Sequence, residues 1–234
     1  MTPAGADRPV TLLALDTATS SGGVALVRGD VVLAEEAWQN GGQQTATVLP
    51  AAVRLWTRAG LAPQDLGAVA VSAGPGSYTG LRVGFGLAKG LALALGLPLV
   101  AVPTLEAVAY QHREASAVLC AVVAAGRGMY HVGVFMRRRG SVALEGDYAV
   151  LDAAELAARL RAAARPMLLC GELYPSLIEP LRAAGLPSQR VRFASPAAAP
   201  RRAAFLAELA LARLDGVAPE DAAALQPLYL RRTP

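Results

Sequence analysis

Residues 74–90, GPGSYTGLRVGFGLAKG, constrain the fold of this chain more than any other segment. They follow the apolar run 68–71, which reads as a buried strand. The chain then turns through Gly74, Pro75 and Gly76, passes Ser77, Tyr78 and Thr79, and enters a long helical pattern at Gly80. A glycine turn between a strand and a helix aims backbone N–H groups and the positive end of the helix dipole at one point, where phosphate is the usual guest. No Gly-Lys-Ser/Thr follows, so the segment is not a P-loop, and Thr79 stands where the dinucleotide fingerprint needs its third glycine. A plain strand-to-helix turn that needs glycine accounts for the segment equally well.

The helical pattern carries two stripes. Gly80, Gly84, Ala88, Ala92 and Gly96 recur every fourth residue and share roughly one face, while Leu87, Leu91 and Leu95 form a second, apolar stripe. A helix with two non-polar faces is buried on both. One face packs on the chain's own sheet; for the other, a partner subunit and the interior of the same domain are equally good candidates. Gly80, Gly84, Leu87, Ala88, Leu91, Ala92 and Leu95 are therefore the candidate association surface.

The chain's 234 residues suffice for one large or two small domains. Hydrophobic residues make up 54%, yet the longest apolar stretch, 81–102, is interrupted by Arg82, Lys89 and Pro98, so no membrane span is expected. The first ten residues lack an apolar core of the signal-peptide kind, which favours the cytoplasm. Cys120 and Cys170 lie far apart in apolar runs and read as reduced core residues. The net charge of +4 rests almost wholly on arginine, Lys89 being the only lysine. Arg137–Arg139, Arg201-Arg202 and Arg231-Arg232 read as solvated turns or helix ends rather than phosphate contacts.

Along the chain, strands are expected at 10–16, 24–27 and 31–34, the last two joined by an Arg28-Gly29-Asp30 hairpin turn. A helix follows at about 47–59 with Pro50 in its first turn, then a strand at 99–102 and a helix capped by Thr104. The second half repeats this rhythm: strands at 117–123, 130–136 and 142–150, a helix opened by a capping box of Asp152 and Glu155, a strand at 167–170, and a helix at 175–184. A short strand at 191–193, a Pro/Ala linker at 195–200, a helix at 205–214 and a last helix from 220 complete it. The pattern suggests a duplicated α/β unit, with a single mixed sheet as the alternative. The expected divisions are a disordered tail at 1–9, an N-terminal subdomain at 10–104, a C-terminal subdomain at 105–218, and a tail at 219–234 that returns to the N-terminal subdomain.

The run Leu13-Ala14-Leu15-Asp16-Thr17-Ala18-Thr19 with Val24-Ala25-Leu26 resembles the first phosphate hairpin of the actin/Hsp70/sugar-kinase (ASKHA, RNase H-like) fold. Together with GPGSYTGLRVG, AKGLAL at 88–93 and PTLEAVA at 103–109, it closely resembles the bacterial TsaB (YeaZ) family, strongly over 12–110, thinly over 111–218, and again at 227–231. The resemblance implies a two-subdomain fold with a duplicated mixed sheet and flanking helices. It implies a noncatalytic subunit in the formation of N6-threonylcarbamoyladenosine next to the anticodon of tRNAs. It implies complexes with the paralogous transferase TsaD and the ATPase TsaE, a homodimer in isolation, and contact with tRNA only through the complex. The sequence departs from the family at Gln44, where a histidine often stands, and at Val123-Ala124-Ala125, where Asp-Ala-Arg is common.

The residue inventory argues against independent chemistry. His112 and His131 make no HxxxH pair, and Ser77 and Thr79 have no neighbouring histidine base. A protease reading thus has no metal or nucleophile behind it. Asp16 lacks a partner carboxylate after the strand at 117–123, and the next acid along the chain is Glu145. Phosphoryl transfer needs metal-neutralised charge and a positioned base. Catalytic and metal residues are therefore expected to be absent, and no cofactor is required. Weak binding of ATP or ADP is expected at Asp16, Thr17, Thr19, Gly74, Gly76, Ser77, Thr79 and Gly80. The alternative is a stand-alone ASKHA-type ATPase or small-molecule kinase.

Overall fold

Two apolar runs become strands buried on both faces: β1 (Thr11–Asp16) and β4 (Ala68–Gly74), in which every residue is buried. The computed structural model describes residues 9–39, 43–214 and 222–230. Among these, β1, β2 (Ser21–Arg28), β3 (Val31–Gln39), β4 and β5 (Leu99–Pro103) form a five-stranded sheet in the order β3-β2-β1-β4-β5. β1, β2 and β3 are an antiparallel meander; β4 and β5 run parallel to β1. Alternation along β1 feeds two cores. Leu13 and Leu15 face a cluster with Val48 and Leu55 of α1 (Gln44–Arg58) and Phe85 and Ala88 of α2 (Tyr78–Leu95). Leu12 and Ala14 face Leu206, Ala207 and Ala210 of a C-terminal helix, α6 (Ala203–Leu214).

The second half repeats the plan. β6 (Val118–Gly126), β7 (Met129–Arg138), β8 (Ser141–Leu144), β10 (Met167–Gly171) and β11 (Val191–Phe193) are ordered β11-β10-β6-β7-β8, and β9 (Ala149–Asp152) pairs with β7. Again antiparallel strands come first, and β10 and β11 then add in parallel. α4 (Ala153–Ala162) and α5 (Pro175–Ala183) cover one face, and α3 (Thr104–Gln111) covers the other. A single mixed sheet is thereby excluded, and the duplicated α/β architecture stands.

Local signals are realised where they are self-contained. Asp152 and Glu155 make both halves of a capping box at 2.8 Å, and Gly96 ends α2 in the left-handed conformation at φ 65°. Four expectations are corrected. α1 begins at Gln44, so Pro50 lies inside the helix rather than in its first turn. Residues 142–150 are not one strand but β8 and β9, separated by Gly146 at φ 75°. Thr104 does not cap α3; its hydroxyl accepts from the Gly74 N–H at 3.1 Å. α6 (Ala203–Leu214) falls within the expected second subdomain, but its apolar face is buried on the first sheet.

Residues 222–224 form a turn where a helix was expected. The segment to 230 lies against the first sheet's helices and strand: Leu225 joins the α1–α2 core, the Leu228 N–H donates to Ala73 O at 2.7 Å, and Lys89 Nζ donates to Ala223 O. Residues 1–8, 40–42, 215–221 and 231–234, with Arg231 and Arg232 among them, lie outside the described residues. No described helix is long and apolar enough to cross a membrane.

Candidate functional site between the two sheets

The glycine turn holds the chain's own backbone. A Cβ at Gly76 would lie 2.2 Å from Ala18 O, and one at Gly80 would lie 2.2 Å from Thr17 O. These positions need glycine because the β1–β2 turn, residues 17–20, presses against them. Three donors of the turn are engaged as well: Ser77 N–H donates to Ala18 O at 2.6 Å, Gly74 N–H to Thr104 Oγ1, and Gly80 N–H to Ser77 Oγ at 3.3 Å. Thr17 Oγ1 donates to Gly80 O at 2.8 Å. The residues expected to cradle phosphate thus divide into two groups. Thr17, Gly76, Ser77 and Gly80 join the glycine turn to the β1–β2 turn, Gly74 is held by Thr104, and Thr79 is exposed at the start of α2. Asp16 and Thr19 point elsewhere.

Asp16 and Thr19 meet Arg201, whose side chain is only 4% exposed. Arg201 Nε donates to Asp16 Oδ2 at 2.7 Å, and its Nη1 donates to Thr19 Oγ1 at 2.9 Å and to Glu172 Oε1 at 2.7 Å. Its Nη2 donates to the Ser21 carbonyl at 2.5 Å. Glu172 follows β10, and its other oxygen accepts the Ala124 N–H at 2.9 Å. The Thr19 hydroxyl also donates to Glu172 Oε1. The reading of Arg201 as a solvated helix end is overturned; Arg202, exposed and paired with Glu35 at 2.7 Å, fits that reading.

Asp16 does have a partner carboxylate, supplied by Glu172 rather than by the strand at 117–123. The turn at Val123-Ala124-Ala125 contributes a backbone donor to that acid instead of an acid of its own. Burial acts to lower the Arg201 pKa, but the charges of Asp16 and Glu172 and hydrogen bonds to both outweigh it, so the guanidinium's pKa stands above its ordinary value. Losing one partner of a buried ion pair costs about 3–5 kcal/mol, since a charge is left uncompensated. Gln44, 1% exposed, braces the same turn: its amide donates to Thr19 O at 2.6 Å and accepts the Trp38 indole N–H at 2.9 Å. A cleft of about 490 Å³ opens beside the cluster, lined by Trp38, Leu173, Tyr174, Ala199, Glu172 and Arg201.

Sequence reasoning missed Glu172 and Arg201. Glu172 had a signal, because a strand ending in glycine and an acid, Gly171-Glu172, parallels the acid that ends β1. Gly171, at φ 102°, would bring a Cβ to 2.2 Å from Val122 O. Arg201 had none.

The structure also decides the two stripes of α2. Gly80, Gly84, Ala88 and Ala92 are buried against the chain's own sheet, so these four cannot form an association surface. Leu87, Leu91 and Leu95 are half-buried beside the α1–α2 core. Gly86 and Gly90 face open space, and Leu93 is 66% exposed. Cys120 and Cys170 are free and buried on adjacent strands. Among the described residues, no group of three or more His, Cys, Asp or Glu side chains could hold a metal ion.

Two paired sheets, each a hairpin followed by parallel strands with helices on both faces, define the actin/Hsp70/sugar-kinase class of fold. The ROK hexokinase from Thermus thermophilus shares it at a TM-score of 0.50 and 15% identity, over 88% of this chain and 100% of the hexokinase. Within that class, the family described as TsaD, tRNA N6-adenosine threonylcarbamoyltransferase, matches residues 43–165. The tRNA threonylcarbamoyladenosine biosynthesis protein TsaB of Bacillus subtilis is 34% identical over 176 residues, 73% of this chain and 76% of its own length. YeaZ from Pseudomonas aeruginosa superposes with a TM-score of 0.75 at 29% identity, covering 94% of this chain and 100% of its own. The chain belongs to the TsaB (YeaZ) family.

Proposed function

We propose that this protein serves the formation of N6-threonylcarbamoyladenosine on tRNA as a noncatalytic subunit. It acts in the cytoplasm through a complex with the transferase TsaD and the ATPase TsaE. Kinship with TsaB supports the pathway. The noncatalytic role rests on one observation: the Arg201 guanidinium fills the space between Asp16 and Glu172, the acids that would have to hold a metal or polarise a substrate. The chain needs no cofactor, and ATP or ADP binds weakly at most, because the Gly74, Ser77 and Gly80 N–H groups are already engaged.

The partner surface is the outer side of α1 and α2. Leu49 and Val53 of α1 are 44% and 42% exposed, and Leu93 of α2 stands beside the open Gly86 and Gly90. TsaD occupies this surface in the complex, and a second copy of this chain occupies it in isolation. tRNA meets the complex rather than this subunit alone.

Reconstitution tests the reading. TsaD, TsaE, tRNA and threonylcarbamoyl-adenylate are expected to yield modified tRNA only when this chain is added, while the chain alone hydrolyses no ATP. Steady-state ATP hydrolysis by the purified chain, lost in Asp16→Ala, would instead establish a stand-alone ATPase.

A further inference from the structure

The Arg201 pocket is an oxygen cage built for a cation. Four oxygens converge on one guanidinium: Asp16 Oδ2, Glu172 Oε1, Thr19 Oγ1 and the Ser21 carbonyl, all between 2.5 and 2.9 Å from its nitrogens. Two carboxylates, a hydroxyl and a carbonyl are the ligand types that hard divalent cations choose. Three of the four come from the first sheet's β1–β2 segment and the fourth from the end of β10 in the second sheet, so whatever sits in the cage ties the sheets together. Formal charges make the same point. Two carboxylates and one guanidinium leave a net negative charge in a site where Arg201 and Glu172 are 4% and 3% exposed.

We infer that Arg201 is the resident cation of an intersheet metal-type site, and that removing it uncovers a divalent-cation site formed by Asp16, Thr19, Ser21 O and Glu172. The site is wide, because it is spaced for a planar guanidinium. Ca²⁺, which takes six to eight oxygens in flexible geometry and completes its shell with water, suits it better than Mg²⁺, which demands near-ideal octahedral geometry. In the native chain the guanidinium makes the junction between the sheets independent of any metal. This inference does not depend on the role in tRNA modification.

The test is thermal unfolding and calorimetric titration with Ca²⁺ alone. Arg201→Ala is expected to gain stability as Ca²⁺ rises, with a shift of roughly 2–4 °C or more once the site is well filled. Neither the native chain nor Arg201→Ala combined with Asp16→Asn should respond. Where Arg201→Ala does not fold in chelator, refolding in Ca²⁺ is the readout, and the charge-neutral triple variant Arg201→Ala, Asp16→Asn, Glu172→Gln should fold without metal. A folded Arg201→Ala that ignores Ca²⁺ would overturn the inference. So would an Arg201→Ala that stays unfolded in Ca²⁺ while the triple variant folds, or a native chain that binds Ca²⁺ as tightly as the variant.

Discussion

Thr17 and Gly84 are fitted to each other: the Thr17 hydroxyl oxygen lies 2.2 Å from the point a Cβ on residue 84 would occupy. The same hydroxyl donates to Gly80 O one turn earlier in α2. This contact seats the β1–β2 turn on the helix, and with it positions Asp16 and Thr19 beneath Arg201.

Gly84→Ala should therefore destabilise the fold although alanine is the better helix former. Overpacking of this kind costs about 1–3 kcal/mol, against roughly 1 kcal/mol gained from helix propensity. Gly86→Ala, in the same helix with no atom within 4 Å of its Cβ position, should stabilise by up to about 1 kcal/mol. Urea denaturation of the two variants checks the pair, and equal effects would show that the Thr17 contact is immaterial.

The proposed partner surface gives a second contrast. Leu93→Arg or Gly90→Trp should abolish association with TsaD while leaving the monomer's circular dichroism and melting temperature close to those of the parent. Ala88→Trp, on the fully buried stripe, should unfold the chain instead, because it thrusts an indole into the α2–sheet contact. Size-exclusion profiles of each mixture distinguish the faces.

The histidines make stability pH-dependent. Burial lowers the pKa of His131 in β7, with the charge of Glu172 acting in the opposite sense, and burial also lowers that of His112. Below about pH 6.5 the unfolded chain takes up protons that the folded chain refuses. The contribution is thus complete above that pH and is lost as pH falls toward the depressed folded values. Denaturation midpoints at about pH 7.5 and about pH 5.5 should show this fall, and His131→Leu should make it shallower. An unchanged slope would remove His131 as a source.

The thiols should be inert in the folded state. Burial pushes the Cys120 thiol up to about 12 and raises that of Cys170 well above its usual value. Thiolate is the reactive form, so a disulfide reagent near pH 8 should label neither cysteine until denaturant is added. Prompt labelling of either in buffer would contradict the burial of this strand pair.

Much of the fold was legible because its causes are local. Apolar runs broken by glycine and proline turns locate β1, β4, β6 and β10, and the Asp152–Glu155 box marks the start of α4 from four consecutive residues. Thr104 shows the limit of such reading. A threonine at a helix start satisfies the capping pattern, yet its hydroxyl serves Gly74, thirty residues earlier in the chain. The small-residue stripe of α2 shows it too, since periodicity reveals that two surfaces approach closely but not that the second surface is the chain's own β1–β2 turn and first sheet.

What the sequence determined by itself is the duplicated α/β plan, the glycine requirement at 74–80, the buried reduced cysteines and the kinship with TsaB, all written in short-range spacing. Only the tertiary structure decided what fills the places so prepared. The Ala18 and Thr17 carbonyls press against Gly76 and Gly80 of the glycine turn, and Arg201 joins Asp16 across 185 positions of chain. The physical reason is that a buried charge is tolerated only where partners converge around it, and convergence is a property of packed elements. Neighbouring Arg201 and Arg202 look alike in sequence, and burial alone separates the one that ties two sheets together from the one that faces water.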